Sequence, residues 1–196
     1  MDDMEKLSND LEVSLINRKI NEKTLEVDIE LVKGDITKLE VDAIVNAAHD
    51  DLTGGGGVDG AIHKAAGQKL LGECLNLYGC PEGECRITLG YDLPAKYIIH
   101  TVGPVWTKKE KKKAEDILSK CYRSCLYAAE MQGLKSIAFP CISTGAYCFP
   151  KNDAAKIAIE AVTGFFNTEI ITYLDIVCFI CYDDESFHIY KDFLKI

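Results

Sequence analysis

The sequence holds 196 residues, 47% hydrophobic and 27% charged, with 22 basic against 31 acidic side chains and a formal net charge of −9. That length supports one domain with a proper core, and the balance is that of a soluble globular chain. So acidic a chain is not built to neutralise nucleic-acid phosphates, and no apolar run reaches the roughly 18–20 residues of a membrane span, so neither partner is expected.

Residues 1–22 are polar and mixed, and read as an N-terminal extension or as a helix packed on the domain edge, with the domain itself over 23–196. The start, Met1-Asp2-Asp3-Met4-Glu5, lacks the basic and apolar regions of a secretory signal, which points to the cytosol or nucleus. From Thr24 onward, Leu25-Glu26-Val27-Asp28-Ile29-Glu30-Leu31-Val32 alternates strictly, as a half-buried strand does. Short apolar stretches at 43–45, 97–99, 136–139 and 176–180 read as buried strands. Helical spacing runs over 60–78 and 111–131; a further helix opens at Asn152-Asp153 and ends near Gly164, and Asp183-Asp184 caps a last one ending at Leu194. Strands alternating with helices predict a layered α/β domain, with helices on both faces of a mixed sheet.

Nine cysteines are scattered through these elements and read as structural thiols of a reducing compartment. Cys178 and Cys181 sit three apart in a strand, so they face opposite sides and form no redox or zinc pair. Cys121 and Cys125 share a helix face but lack a second pair to complete a zinc site. The run Lys108, Lys109, Glu110, Lys111, Lys112, Lys113 reads as a solvated helix start.

In a sheet of this kind ligands bind at the carboxyl ends of the strands. Four strand-to-loop transitions carry chemistry. After the first predicted strand, Gly34 turns the chain and Asp35 offers a carboxylate, either to an exocyclic amine such as that of adenine or as a turn cap. After the second, Asn46-Ala47-Ala48-His49 leads through Asp50-Asp51-Leu52-Thr53 into Gly54-Gly55-Gly56-Gly57-Val58-Asp59-Gly60. Four successive glycines are costly in conformational entropy, and they suit a backbone that must approach a ligand closely at a helix N-terminus, where free N–H groups and the dipole favour phosphate. The third loop, Pro140-Cys141-Ile142-Ser143-Thr144-Gly145-Ala146-Tyr147-Cys148-Phe149, offers a second set of donors, with Tyr147 or Phe149 placed to cover a ribose. The fourth carries Tyr182, which either stacks on a base or packs at the edge.

The stretches Gly-Asp-Ile-Thr, Val-Asn-Ala-Ala, Gly-Gly-Gly-Gly-Val-Asp-Gly-Ala-Ile-His, Tyr-Ile-Ile-His-Thr-Val-Gly-Pro and Pro-Cys-Ile-Ser-Thr-Gly, in that order, resemble a macrodomain of the MacroD type. The resemblance covers residue 24 to the C-terminus. It implies a three-layer α/β/α sandwich with a central mixed sheet that binds ADP-ribose or mono-ADP-ribosylated proteins as a monomer, without a metal or other cofactor. By that resemblance Asp35 holds the adenine amine, Ile36 adds a backbone contact and Tyr182 packs on adenine. Gly55, Gly56, Gly57 and Val58 take one side of the diphosphate, and Ser143, Thr144, Gly145, Ala146 and Tyr147 the other. Asn46 and Asp59 sit near the distal ribose. MacroD-type enzymes remove mono-ADP-ribose from acidic side chains and deacetylate O-acetyl-ADP-ribose. Such ester hydrolysis needs an ordered water, a group to polarise it and stabilised developing charge, and Asp59 suits the second task.

The sequence departs from the family pattern where Asn-Ala-Ala-Asn becomes Asn46-Ala47-Ala48-His49. The replaced asparagine is the one that grips the distal ribose. Three readings stand: His49 supplies the contact, reshapes substrate choice, or leaves a reader of ADP-ribose with little turnover. Asp50 and Asp51 add negative charge near an anionic ligand, a mild penalty. Ala146 and Cys148 stand where a bulkier residue and a glycine are expected.

Overall fold

Five of the apolar stretches become the parallel centre of a seven-stranded sheet. The structure, a computed structural model, describes residues 12–16 and 27–196. The strands are β1 (Glu12–Ile16), β2 (Asp28–Lys33), β3 (Ala43–Ala47), β4 (Cys85–Leu89), β5 (Tyr97–Thr101), β6 (Ser136–Phe139) and β7 (Ile176–Cys181). Their order across the sheet is β1-β2-β7-β6-β3-β5-β4. β2, β7, β6, β3 and β5 run parallel, while β1 and β4 close the edges antiparallel. The helices are α1 (Gly57–Ala66), α2 (Gln68–Leu75), α3 (Lys111–Met131), α4 (Lys151–Thr168) and α5 (Asp184–Leu194).

Successive side chains of a strand point to opposite faces, so each parallel strand feeds two cores. Leu31, Val45, Ile99, Phe139 and Phe179 pack with α3, α4 and α5. Val32, Ile44, Ile98, Ala138 and Ile180 pack with α1 and α2 on the other side. The result is the three-layer α/β/α sandwich with a mixed sheet. Cys181 belongs to the first core and Cys178 to the second, as their spacing required. No helix among the described residues is long and apolar enough to cross a membrane.

Several boundaries differ from the sequence reading, each for a local reason. The strand expected from residue 24 is described from Asp28, with 24–26 outside the described residues; Leu31 and Val32 are both buried because the strand is covered on both faces. Within residues 1–22, segment 12–16 is a strand pairing with β2, where an extension or an edge helix was expected. The single helix expected over 60–78 breaks at Gly67, whose φ of +82° ends α1 and starts α2. α4 runs past Gly164 to Thr168, because Phe165 and Phe166 beyond the glycine are buried in the core. β4 was not anticipated. The lysine run is the expected solvated helix start, with Lys111 paired to Glu115 and Asp153, Lys112 to Asp116 and Lys113 to Glu110.

Candidate functional site

The carboxyl ends of the parallel strands meet at one edge of the sheet and enclose a cleft of two chambers. The outer chamber, about 470 Å3, is lined by Asp35, Ile36, Ala61, Thr144 and Tyr182 among others. The inner one, about 240 Å3, is lined by His49, Gly56, Asp59, Ser143, Ala146 and Tyr147 among others. Gly57, Val58 and Gly145 border both and form the neck between them. The residues assigned to a ligand by the family resemblance line this cleft except Gly55, which lies beside it, and Asn46, which is buried behind it bonded to Asp59.

At the outer end, Asp35 Oδ1 accepts from Thr37 N (2.9 Å) and Thr37 Oγ1 (2.8 Å), capping a short 3-10 turn over Ile36–Lys38. Asp35 is thus the expected turn cap and at the same time lines the outer chamber. Tyr182 stands at the rim, 85% exposed, with its ring free to lie against a flat ligand. Asp183, next to it, caps α5 by accepting from Ser186 N (2.8 Å).

The neck is backbone. Gly56 is extended and Gly57, with φ +61°, begins α1. The first turn of a helix has no intrahelical partners for its N–H groups, so those of Gly57, Val58 and Asp59 are available to an anion. A Cβ at Gly56, Gly57 or Gly145 would meet no atom within 4 Å, since all three face open cleft. Gly60 is glycine for the opposite reason: a Cβ there would lie 2.2 Å from the Gly55 carbonyl oxygen, where the loop folds back on the helix.

The facing wall follows β6. Thr144 Oγ1 donates to Cys141 O (2.9 Å) and Phe149 N to Ser143 O (3.0 Å), closing the loop on itself. Ser143 and Cys148 both hold positive φ, +64° and +55°. Tyr147 reaches the inner chamber. Phe149 does not: it is buried in the core under α4, so the alternative that it covers a ribose is set aside.

Behind the inner chamber lies a buried polar group. Asn46 Nδ2 donates to Asp59 Oδ1 (2.7 Å) and to His100 Nδ1 (3.1 Å), and His63 Nε2 lies 3.6 Å from the same Asp59 oxygen. Buried polar atoms are nearly always partnered. Among the described residues five buried side-chain atoms have no hydrogen-bond partner, and four of them are here: Asn46 Oδ1, Asp59 Oδ2, His63 Nε2 and Ser143 Oγ. Of these, Asp59 Oδ2 and Ser143 Oγ belong to residues that line the inner chamber. His63 and His100 were not singled out from sequence, although a histidine inside an apolar strand, as in Ile98-Ile99-His100, is a usable signal.

His49 is exposed at the mouth of the inner chamber. Its Nδ1 lies 3.4 Å from Tyr147 Oη with the rings edge-on at 5.9 Å, and its Cδ2 sits 2.9 Å from where a Gly55 Cβ would be. Burial, followed by the nearby Asp50, Glu82, Asp59 and Asp51 carboxylates, raises the Tyr147 phenol above its usual range, so it stays a neutral donor. The one grouping of metal-ligand type among the described residues is His63, Cys74 and His100, whose ligand atoms lie within 4.8 Å of one another. His100 Nε2 there is already in contact with Thr88 Oγ1 (2.9 Å).

Residues 45–158 match the family profile described as Macro domain. The chain is 48% identical over 174 residues to an O-acetyl-ADP-ribose deacetylase of Klebsiella pneumoniae, covering 87% of this chain and 98% of that protein. It is 46% identical over 183 residues to the human ADP-ribose glycohydrolase MACROD2, covering 93% of this chain but only 42% of that longer protein. Among solved structures it is similar to the Oceanobacillus iheyensis macrodomain with ADP, with a TM-score of 0.84 and 40% identity over 94% of this chain and 96% of that one.

Proposed function

The chain belongs to the macro domain family, and from that premise we propose that it binds ADP-ribose in the two-chambered cleft and hydrolyses ADP-ribosyl esters. The substrates are mono-ADP-ribose on acidic side chains and O-acetyl-ADP-ribose. In this reading the outer chamber takes adenine between Asp35 and Tyr182. The diphosphate crosses the neck, where N–H groups of Gly57 and Val58 face Thr144, Gly145 and Ala146. The distal ribose enters the inner chamber. The observation that carries the reading is the pair of unpartnered polar atoms on residues lining that chamber, Asp59 Oδ2 and Ser143 Oγ, which a ribose and a water would satisfy.

Hydrolysis follows from the same groups. Asn46 holds one oxygen of Asp59, which leaves Oδ2 to orient a water and take its proton as the water oxygen attacks. The water oxygen bonds to the ester carbonyl carbon and the acyl C–O bond breaks. The proton taken by Asp59 passes to the departing ribose oxygen to make its hydroxyl, and the free carboxylic acid is released. The diphosphate fixed at the neck holds the ester in line with that water.

A second reading, a non-hydrolytic ADP-ribose reader, is favoured by one observation. His49 fills the mouth of the inner chamber against Gly55 and Tyr147, where the family places a smaller side chain. Incubation with a protein mono-ADP-ribosylated on acidic residues separates the two. Release of free ADP-ribose is the expected result; tight binding without release would leave the reader, and no binding by calorimetry would overturn both.

A further inference from the structure

Cys181 faces away from Cys178, its neighbour in sequence, and meets another cysteine instead. The register of β6 and β7 sets Phe139 against Phe179, and two residues further on the same face come Cys141 and Cys181. Their sulfurs lie 3.7 Å apart, although 40 positions separate the residues in the chain. Neighbouring strands run about 4.8 Å apart, inside the Cα spacing of roughly 4.4–6.8 Å that a disulfide spans. Bonding distance for sulfur is about 2.0 Å, so a closure of about 1.7 Å remains, which side-chain torsions and a small loop shift can share.

The two thiols differ in access and in acidity. Cys181 is fully buried at the end of β7, paired to Lys33, with its carbonyl accepting from Gly34 N (3.0 Å). Cys141 is only half-buried and lines both chambers, so a small solute in the cleft can reach it. The hydrogen bond shared with Cys181 holds the Cys141 thiol below its usual range, helped by Ser186 and Lys151 against burial and Asp183. The same contact, followed by burial, raises Cys181. The thiolate is the form that peroxides oxidise, and an accessible, acidic thiol beside a second cysteine is the arrangement that closes to a disulfide.

We propose that Cys141 and Cys181 are an oxidation site: hydrogen peroxide entering the cleft converts them to a disulfide, and that bond loosens the neck's hold on a diphosphate. The Cys141 thiolate attacks one peroxide oxygen, the O–O bond breaks, and the departing hydroxide takes up the proton that Cys141 had released. Cys141 is then a sulfenic acid. The Cys181 sulfur attacks the Cys141 sulfur, the S–O bond breaks, and hydroxide leaves with the Cys181 proton as a second water. The pair of thiols loses two electrons and one peroxide gains them. Cys181 is held in the sheet, so Cys141 makes the larger move. Its carbonyl accepts from Thr144 Oγ1 (2.9 Å) and Thr144 N (3.4 Å), so the wall that faces Gly57 and Val58 moves with it. The effect on ligand rests on the ADP-ribose reading; the disulfide does not.

The test treats the full chain with hydrogen peroxide, blocks the remaining thiols and maps the peptides. The expected product is a pair of peptides joined through Cys141 and Cys181, lighter by two hydrogens than the reduced pair. In Cys181→Ala that pair cannot form, and the sulfenic-acid trap dimedone should mark Cys141 instead. Calorimetry with ADP, which carries the diphosphate, reads the consequence. Affinity should fall at least about fivefold on oxidation and return with dithiothreitol, while peroxide leaves Cys141→Ala within about twofold of its own untreated value. Absence of the linked pair overturns the proposal. So does a linked protein that binds ADP as the reduced one does, or an equal loss in Cys141→Ala. If the reduced protein binds no ADP, the functional reading fails, and the linked peptide alone then decides whether the oxidation site exists.

Discussion

His49 and Tyr147, 98 positions apart in the chain, meet with Nδ1 3.4 Å from Oη and join the two loops across the mouth of the inner chamber. In the proposed reading the contact borders the chamber that takes the ester-bearing ribose. His49→Asn removes ring atoms that crowd Gly55 and should raise turnover of a mono-ADP-ribosylated substrate severalfold, with ADP affinity unchanged. Single-turnover release of ADP-ribose measures it. A loss of activity instead would make His49 a working residue of the site.

Two glycines of similar appearance should respond in opposite ways. Gly145→Val places a side chain in open space at the neck, so ligand binding should be abolished while the melting temperature stays put. Gly60→Ala would in most helices stabilise by about 1 kcal/mol. Here the new Cβ meets the Gly55 carbonyl at 2.2 Å, so a loss of about 1–3 kcal/mol by chemical denaturation is expected.

Cys148 occupies a left-handed backbone conformation, φ +55°, at an exposed position where the family pattern has glycine. A side chain in that region costs about 1–2 kcal/mol, part of which glycine gives back through its flexible unfolded state. Cys148→Gly should therefore stabilise the protein by about 0.5–1 kcal/mol in urea titrations. No gain would mean that the loop relaxes around the cysteine without strain.

Stability should fall with acid before the carboxylates titrate. His100 is lowered to about 3 in the folded protein, by burial first and by His63 second. Unfolded, it titrates near 6.5. Between those values the unfolded chain carries a proton that the folded one lacks, so stability is lost as pH falls from about 6.5 toward 3, with a limiting slope of about 1.4 kcal/mol per pH unit. Denaturation midpoints at pH 7, 6, 5 and 4 give that slope, and His100→Asn should flatten it.

Asp59 is the group whose removal should separate chemistry from binding. Asp59→Ala is expected to lower kcat by about two to three orders of magnitude, while ADP affinity changes little. Equal loss of both would place Asp59 in the scaffold of the loop.

Much of this was legible before the structure. The glycine run, Asp35, Ser143 to Tyr147 and Tyr182 all follow strands, and parallel strands deliver their ends to one edge, so loop chemistry sufficed to group them. The helix over Lys111–Met131 was readable because its apolar spacing is unbroken. The break at Gly67 was not, since a lone glycine inside a helical pattern does not announce the φ of +82° at which it turns the chain. β4 escaped notice because, as an edge strand, only Thr88 of its five residues is buried. Its contribution to the site, Thr88 on His100, is a pairing that no local pattern announces.

The sheet order carries a consequence for how the protein is made. β2 lies beside β7, so the wall with Asp35 is completed by Tyr182, near the other end of the chain. The partners of Asn46, likewise, come from two later elements, α1 and β5. Contacts so distant in sequence form late and slowly. A nascent chain can build β3, α1 and the glycine loop early, yet it holds no complete cleft until β7 has been synthesised and has slotted between β2 and β6. Ligand then finds only the finished molecule and lends its binding energy to that state alone.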